Sequence, residues 1–248
     1  MKQLNVLGIC GSTRKGNSEY LLDQAIQSAH EAAPDVVSCT SYSVRGKKFG
    51  PCVACGKCGE NSGECIIKDD FQQLRDLWID ADVIIYSVPV YHMGMPGQLK
   101  CFIDRLGNST FGRYKGLYES GFEKLPKLLK VVGSIAQGVH ICSGQEHTLT
   151  ELINHALLMQ CIPVTGDMWQ SYIGGGGWTS NDVDRNALKK QLEANQYDAQ
   201  VAVQSSKDVG RRAVEIALML RNGAAAMENE LKKDASYKPF LDRVGDHS

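Results

Sequence analysis

The sequence predicts an α/β fold in which a doubly wound, parallel, five-stranded sheet is followed by a helical C-terminal extension. Two observations lead to this prediction. Short apolar runs alternate with segments of helical periodicity, which is typical of repeated β-α units. Residues 82–88, with the sequence DVIIYSV, are apolar almost throughout, as expected of a strand buried on both faces of a parallel sheet. The 248 residues are enough for one large domain with a sizeable core.

Five runs have the length and composition of strands. They are rich in apolar residues, and polar or small residues bound them. The second run is the weakest of the five. The predicted strands cover residues 4–10, 36–44, 82–88, 128–136 and 162–168.

Helical segments separate these strands, and a helical crossover keeps consecutive strands parallel. In the first segment, Leu21, Leu22, Ala25 and Ile26 share one face. The second segment begins with acidic residues and the third has a proline in its first turn, and both features favour a helix N-terminus. The predicted helices cover residues 17–33, 69–79, 96–106 and 146–160.

The C-terminal part of the chain differs in composition. We expect a sheet domain over residues 1–170, with a cysteine-rich loop at 51–66, and an extension over residues 171–248. The glycine run 174–177 predicts a flexible break at the start of the extension, and the polar segment 232–248 is expected to fray.

Two helices are predicted within the extension, over residues 182–195 and 208–222. The second carries the apolar residues Val214, Ala217 and Leu218 among others. This apolar face would pack either onto its own domain or onto a partner subunit.

Charge and composition exclude several functions. The formal net charge of −1 gives no field that would attract nucleic acid or an acidic membrane. No apolar run is long enough to span a bilayer, and the first ten residues lack the features of a signal peptide. We therefore expect a cytoplasmic protein with no nucleic-acid or membrane partner.

The first strand runs into a loop of small and polar residues, GSTRKGNS at 11–18, and a helix follows. Backbone N–H groups and the helix dipole at such a junction bind anions. The spacing of Gly11 and Gly16 is that of a Walker A loop, but Asn17 stands where its lysine belongs. A G-x-G-x-x-G dinucleotide fingerprint is also absent. The loop therefore favours a monophosphate ester such as FMN, and a polar loop that only caps the helix is the alternative.

A second motif lies in the cysteine-rich loop. Cys52, Cys55, Cys58 and Cys65 have the spacing C-x2-C-x2-C-x6-C. The tight C-x2-C-x2-C run is typical of [4Fe-4S] ligation, whereas structural zinc sites more often use two separated knuckles. Disulfides are a poor explanation because the chain has nine cysteines. A [4Fe-4S] cluster, a zinc ion and a loop of reduced thiols without metal remain as alternatives.

Taken together, these motifs resemble a known family. Residues 11–18 resemble the FMN phosphate loop of the NADPH-dependent FMN reductases. Residues 88–91 (VPVY) and 99–105 resemble the second flavin loop and its helix, and residues 144–149 resemble the third loop. The cysteine run, followed by IKDD at 67–70, resembles the iron–sulfur flavoprotein branch of that family.

The resemblance covers residues 1–167 and implies a flavodoxin-like FMN protein. It implies that the first loop holds the FMN phosphate through Ser12, Arg14, Asn17 and Ser18. The isoalloxazine would be bordered on one side by Pro89, Val90, Tyr91, His92 and Met93. On its other side would lie Ala136, Gln137 and Gly138. A [4Fe-4S] cluster would be bound by Cys52, Cys55, Cys58 and Cys65.

We therefore expect an FMN-dependent oxidoreductase. It would take electrons from NAD(P)H or a protein donor and pass them to a small quinone-like or aromatic substrate. An electron-transfer iron–sulfur flavoprotein without a dedicated substrate is the alternative. His92 would act either as a proton donor to the substrate or as part of the pocket wall. Asp104 and Arg105 are expected to form a local charge pair, and the protein is expected to form a homodimer or homotetramer.

Overall fold

A computed structural model describes residues 3–117 and 124–245 of the chain. Its centre is a six-stranded sheet with the order β2-β1-β3-β4-β5, in which β6 also pairs with β4. All of the strand pairs are parallel. The strands are β1 (Leu4–Cys10), β2 (Val37–Ser43), β3 (Val83–Pro89), β4 (Val131–Gly138), β5 (Ile162–Val164) and β6 (Gly175–Trp178). This order is that of flavodoxin-type sheets, so the predicted fold class is confirmed.

Helices cover both faces of the sheet. Those of the described residues are α1 (Asn17–Ala32), α2 (Lys57–Glu60), α3 (Phe71–Asp80), α4 (Gly97–Arg113), α5 (Gln145–Leu158), α6 (Ala187–Glu193), α7 (Tyr197–Ala226), α8 (Glu228–Leu231) and α9 (Lys238–Val244). One core contains side chains of α3, α4 and α5, and the other contains side chains of α1 and α7. Among these helices, none combines the length and the apolar character needed to cross a lipid bilayer.

The side chains of β3 explain its continuously apolar sequence. Ile84 and Tyr86 belong to the core under α3, α4 and α5, whereas Val83 and Ile85 belong to the core under α1 and α7. All four side chains are fully buried. Both faces of this central strand are therefore covered, as its sequence predicts.

The glycine run differs from its prediction. It is not a flexible break, because Gly175–Trp178 forms β6 and pairs with the last residues of β4. A Cβ atom on Gly176 would overlap the carbonyl of Ala136, and φ there is +112°. A Cβ on Gly177 would lie 3.0 Å from the Cβ of Ala202 on α7. Glycine is required because the strand lies too close to β4 and α7 for side chains.

The predicted helix over 208–222 is the central part of α7, which is 30 residues long. Its apolar residues Val209, Val214 and Ala217 are buried against the sheet and α1 of the same chain. A Cβ on Gly210 would overlap the carbonyl of Ala25, so the two helices are in very close contact. Of the two alternatives for this face, packing onto its own domain is the one observed.

The end of the chain is also more ordered than its polar sequence predicts. Residues 238–244 form α9, in which Phe240 is buried. Arg243 donates from Nε to the Asp82 carboxylate at 3.0 Å, at the amino end of β3. Part of the predicted fraying, at residues 246–248, lies outside the described residues. The predicted helix over 182–195 is shorter and begins at Ala187.

Candidate functional site

Three loops meet at the carboxyl edge of the sheet. They follow β1, β3 and β4, which are adjacent in the sheet. In this strand order the chain turns to opposite faces of the sheet after β1 and β3, and ligands bind at such a switch point. The three loops are those in which the sequence predicts the FMN site.

The first loop has an open helix N-terminus. Helix α1 begins at Asn17, and no side chain caps its first turn. Its first backbone N–H groups are therefore available to an anion. Within the loop, the hydroxyl of Ser12 donates to the carbonyl of Arg14 at 2.7 Å and accepts from the N–H of Arg14 at 3.2 Å. Ser12 and Ser18 are buried, whereas Arg14 is exposed.

Asn17 has a different environment from the one expected of a phosphate ligand. Its side-chain N–H group donates to the carbonyl of Asp184 at 3.1 Å. Its side-chain oxygen accepts from the N–H of Leu188, also at 3.1 Å. The amide thus joins the first loop to the segment before α6, and no local sequence signal indicates this long-range contact. The backbone N–H of Asn17 is left for the anion.

The second loop is a tight turn with strained backbone. Tyr91 and Gly94 exchange two backbone hydrogen bonds, of 2.9 and 3.1 Å. Between them, His92 and Met93 have φ values of +48° and +70°, which non-glycine residues rarely adopt. The turn is anchored by Glu151 of α5, which accepts from the N–H of Met95 at 2.9 Å. Side chains at positions 91–93 are exposed, so the strained turn presents them to solvent.

The three loops contact one another directly. The hydroxyl groups of Thr13 and Tyr91 lie 3.3 Å apart and link the first loop to the second. The N–H of Val90 donates to the carbonyl of Gln137 at 2.9 Å, which links the second loop to β4. A Cβ on Gly144, where φ is +104°, would lie 2.5 Å from the carbonyl of Met93. Only glycine therefore allows the third loop to approach the second this closely.

Gln137, near the carboxyl end of β4, has an unsatisfied side-chain hydrogen-bond acceptor. It is only 6% exposed, and its side-chain oxygen Oε1 has no hydrogen-bond partner among the described residues. Ala136 beside it is buried as well. A buried acceptor without a donor is rare in folded proteins, and at this edge it is available to a donor group of a ligand.

A cleft of about 630 Å³ opens between the second loop, the third loop and β6. This volume is in the range of small-molecule sites. Its wall combines apolar side chains with the backbone of the glycine strand, and it includes Met93, Ile141, Gly144, Tyr172, Ile173 and Trp178. The sequence did not reveal this wall, because it depends on the pairing of β6 with β4.

The cysteine-rich loop forms a second candidate site. The thiols of Cys52, Cys55, Cys58 and Cys65 are unpaired and line one cavity of about 160 Å³. Burial raises the pKa of the Cys58 thiol, and the neighbouring Cys65 and Cys55 add to the shift. In the part of the chain that the structure describes, no three Cys, His, Asp or Glu side chains converge closely enough for a single metal ion.

Helix α4 holds the cysteine-rich loop in place. A Cβ on Gly112 of α4 would lie 2.5 Å from the carbonyl of Cys58, and one on Gly63 would lie 2.5 Å from the carbonyl of Ser109. The hydroxyl of Ser109 donates to the carbonyl of Gly63. On the far side, Gln72 of α3 donates to the carbonyl of Ile67 at 2.8 Å. The loop is therefore shaped by its contacts with two helices.

Arg105 has different partners from the one that the sequence predicts. The expected pair with Asp104 is wrong, because Asp104 pairs with Lys100 and Arg105 pairs with Asp69 at 2.7 Å. Burial opposes ionisation of Asp69, but hydrogen bonds from Arg105 and two backbone N–H groups outweigh it and lower the pKa of this carboxyl. Arg105 also donates to the Sγ of Cys65 at 3.4 Å.

The two candidate sites lie at different levels of the fold. Helix α4 begins at Gly97, just after the second loop, whereas Asn108 lines the cysteine cavity. At about 1.5 Å per residue, the helix separates these two positions by roughly 16 Å. The cysteine cavity is therefore set back from the carboxyl edge of the sheet.

Comparison with known proteins identifies the class of this fold and site. The family model for NADPH-dependent FMN reductase matches residues 4–166. An iron-sulfur flavoprotein from Archaeoglobus fulgidus is 30% identical over 182 residues, which are 72% of this chain and 85% of that protein. An FMN-dependent NADH:quinone oxidoreductase from Sinorhizobium fredii is 36% identical over 73 residues, which are 29% of this chain and 34% of that protein.

The solved structures agree at the level of the fold. An azoreductase from Bacillus anthracis superposes with a TM-score of 0.57 and 10% identity, over 85% of this chain and all of that chain. The protein is thus a flavodoxin-like flavoprotein. It belongs to the NADPH-dependent FMN reductase family. It is an FMN-dependent NAD(P)H oxidoreductase, as the resemblance in its sequence implies.

Proposed function

We propose that this protein uses FMN at the carboxyl edge of the sheet to pass electrons from NAD(P)H to a small quinone-like or aromatic acceptor, with a [4Fe-4S] cluster as relay. The main support for this proposal is that the three loops meet there beside a cleft of about 630 Å³. The partial match to a quinone oxidoreductase supports the acceptor class.

The residues of the three loops fit FMN. The open N-terminus of α1, with Ser12, Arg14 and Ser18, would hold the phosphate. The isoalloxazine would lie between residues 89–93 of the second loop and residues 136–138 at the carboxyl end of β4. The unpartnered Oε1 of Gln137 offers an acceptor to the ring. Bound FMN supplies the hydride chemistry, and the protein supplies position and electrostatics.

Replacing Arg14 tests this placement of the phosphate. Arg14→Ala should weaken FMN binding by roughly 1.5–3 kcal/mol, the typical contribution of a hydrogen bond to a charged group. Lys15→Ala, which removes the neighbouring exposed cation, is the control for general charge. Unchanged FMN affinity in Arg14→Ala would remove the first loop from the site. We expect the purified protein to contain FMN and not FAD, since no adenylate-binding fingerprint is present.

His92 is our candidate for the proton donor to the acceptor. It is exposed at the tip of the second-loop turn, where its φ of +48° is held by the Tyr91–Gly94 bonds. His92→Gln should lower kcat for a quinone and leave the rate of FMN reduction by NAD(P)H unchanged. If both rates stay the same, His92 is part of the pocket wall.

The C-x2-C-x2-C run of the cysteine-rich loop favours a cluster over a single zinc ion. In a cubane each thiolate binds a different iron, so the four sulfurs surround a volume and need not converge on one point. A zinc ion would require four sulfurs at about 2.3 Å from one centre, and no such convergence occurs among the described residues. The names of the archaeal relatives also support a cluster.

An electron-transfer role without a dedicated substrate is the second candidate function. The cysteine cavity opens on the surface beside the exposed residues Val53, Cys55 and Ile66, where a redox protein has access. Steady-state oxidation of NAD(P)H with a small quinone separates the two functions. Rapid turnover that needs only the quinone supports the enzyme, whereas turnover that needs a protein acceptor supports the carrier.

We further propose a homodimer or homotetramer. Closed two-fold dimers are the commonest oligomers. The cysteine cavity is set back along α4 from the flavin site of its own chain, so the flavin of a partner subunit could be the one that exchanges electrons with the cluster. The apolar face of α7 is occupied within the chain, so it does not form the interface. Light scattering at micromolar concentration should give twice or four times the chain mass, and a stable monomer would refute the proposal.

A further inference from the structure

The guanidinium of Arg105 closes the cysteine-rich loop from the inside. Its Nη1 donates to the carbonyl of Gly50 at 3.3 Å, before the first cysteine. Its Nη2 donates to the carbonyl of Ile67 at 2.8 Å, after the last cysteine. One side chain thus binds both ends of the loop that contains Cys52 and Cys65, and holds the chain entry and exit together.

The same guanidinium contacts a thiol directly. Its Nη2 lies 3.4 Å from the Sγ of Cys65, within hydrogen-bonding distance for sulfur. Three residues further along α4, the side-chain N–H group of Asn108 lies 3.8 Å from the Sγ of Cys52. Residues three apart share one face of a helix. One face of α4 therefore provides N–H donors to the first and the last cysteine of the motif.

The position of Arg105 is fixed by its surroundings. Its side chain is 1% exposed, and it packs over the ring of Phe71 at 4.2 Å. The carboxylate of Asp69 accepts two hydrogen bonds from Nη1, at 2.7 and 2.8 Å. A buried charge costs free energy unless it is paired. The pair with Asp69 offsets that cost and leaves Nη2 directed at Cys65 and Ile67.

We propose that Arg105 is a positioning residue of the cysteine site, which orders the loop for [4Fe-4S] binding and raises the reduction potential of the bound cluster. This rests on the proposed function, since it needs the cluster. A thiolate-ligated cluster becomes more negative on reduction, so N–H donors and a fixed cation beside a sulfur stabilise the reduced form. Asn108 adds a second donor at Cys52.

The test compares Arg105→Gln and Arg105→Lys with Lys100→Gln. Lys100 is on the same helix, is half exposed and pairs with Asp104, so its replacement makes the same change in charge away from the cavity. After anaerobic reconstitution, the cluster potential is measured by a redox titration, with the FMN potential as internal reference. Arg105→Gln should lower the equilibrium constant for one-electron reduction of the cluster about tenfold, which lowers the reduction potential by about 59 mV. Lys100→Gln should leave the potential unchanged.

Arg105→Lys keeps the charge beside Asp69 but loses the forked geometry, so its potential should fall between those of the wild type and Arg105→Gln. If Arg105→Gln does not fold, the reduction potential of Arg105→Lys is compared with that of the wild type instead. In iron-free protein, both Arg105 variants should be cut by protease within residues 52–65 faster than the wild type. Wild-type potential and wild-type protease resistance in variants that load iron fully would overturn the role of Arg105 alone. A wild-type protein that binds no iron would overturn the cluster and this proposal together.

Discussion

The side-chain oxygen of Asn17, in the first turn of α1, accepts a hydrogen bond of 3.1 Å from the N–H of Leu188, in the first turn of α6. The side-chain N–H group of Asn17 donates to the carbonyl of Asp184 over the same distance. The resemblance to FMN phosphate loops implies that this side chain binds the phosphate. Its hydrogen bonds in the structure are instead to the backbone of Asp184 and Leu188. The two roles make different predictions for a variant.

Asn17→Ala should lower the free energy of unfolding by about 1–3 kcal/mol, because two long-range hydrogen bonds are lost. FMN affinity should fall with it, since the loop loses its contact with the segment before α6. Chemical denaturation of the FMN-free protein and FMN titration are the two measurements. Gln27→Ala, at an exposed site on α1, is the control. Weaker FMN binding without any loss of stability would show that the Asn17 side chain binds the phosphate.

Cys55→Ser should abolish iron binding and leave FMN content unchanged, because the two sites use different loops. Anaerobic iron and sulfide analysis of the wild type should give about four of each per chain. Cys39→Ser, which replaces a half-buried cysteine of β2 outside the cysteine-rich loop and the cleft, is the matched control and should keep both cofactors. Wild-type protein that stays iron-free after reconstitution and still reduces quinones at full rate would leave a plain FMN reductase.

Gly176→Ala should destabilise the fold by about 2 kcal/mol or more. A methyl group at this position overlaps the carbonyl of Ala136, and φ of +112° is strained for alanine. Gly223→Ala is the matched control, because that glycine is in α7 and its Cβ would meet no atom within 4 Å. The control should stabilise α7 by up to about 1 kcal/mol. Equal stability of the two variants in thermal unfolding would contradict the tight placement of β6.

The stability of the fold should fall between pH 6.5 and pH 4 through His155. Burial lowers the pKa of this side chain from 6.5 to about 4. In that window the unfolded chain binds a proton that the folded chain does not, so acid favours unfolding. The full effect is about 3 kcal/mol, reached near pH 4. Above pH 6.5 His155 is neutral in both states, so it causes no loss of stability there.

Urea unfolding of the wild type and of His155→Gln at pH 7 and pH 5 measures this effect. The variant should lose less stability over the interval, because it lacks the titrating group. His30→Gln, at an exposed site on α1, should behave as the wild type. An equal loss of stability in the wild type and His155→Gln would show that other groups cause the acid sensitivity.

The elements that the sequence predicted best are those whose signals are local. Strand β3 is apolar at every buried position except Ser87, and the loop at residues 11–18 combines small residues with a helix start. Both properties can be read within a dozen residues. The parallel arrangement of the strands follows from the alternation of strands and helices, since helical crossovers join parallel strands.

What the sequence did not predict depends on contacts between distant segments. Glycines carry no preference for strands, so β6 forms only because β4 and α7 are both present to pack against it. Arg105 pairs with Asp69, 36 residues away, and not with its neighbour Asp104. Successive residues point in different directions on a helix, so adjacency in sequence gave a false partner.

The bond between Asn17 and Leu188 has a consequence for the order of events during synthesis. The two residues are 171 positions apart, so the contact closes a very long loop in the chain. Contacts of this separation form late, because the entropy of closing the loop must be overcome first. A nascent chain that has not yet emerged beyond residue 188 contains the first loop but lacks the segment whose backbone binds the Asn17 side chain. Cofactor loading is therefore expected only after residues 184–188 have emerged from the ribosome, and FMN retention reports that this segment has folded against the first loop.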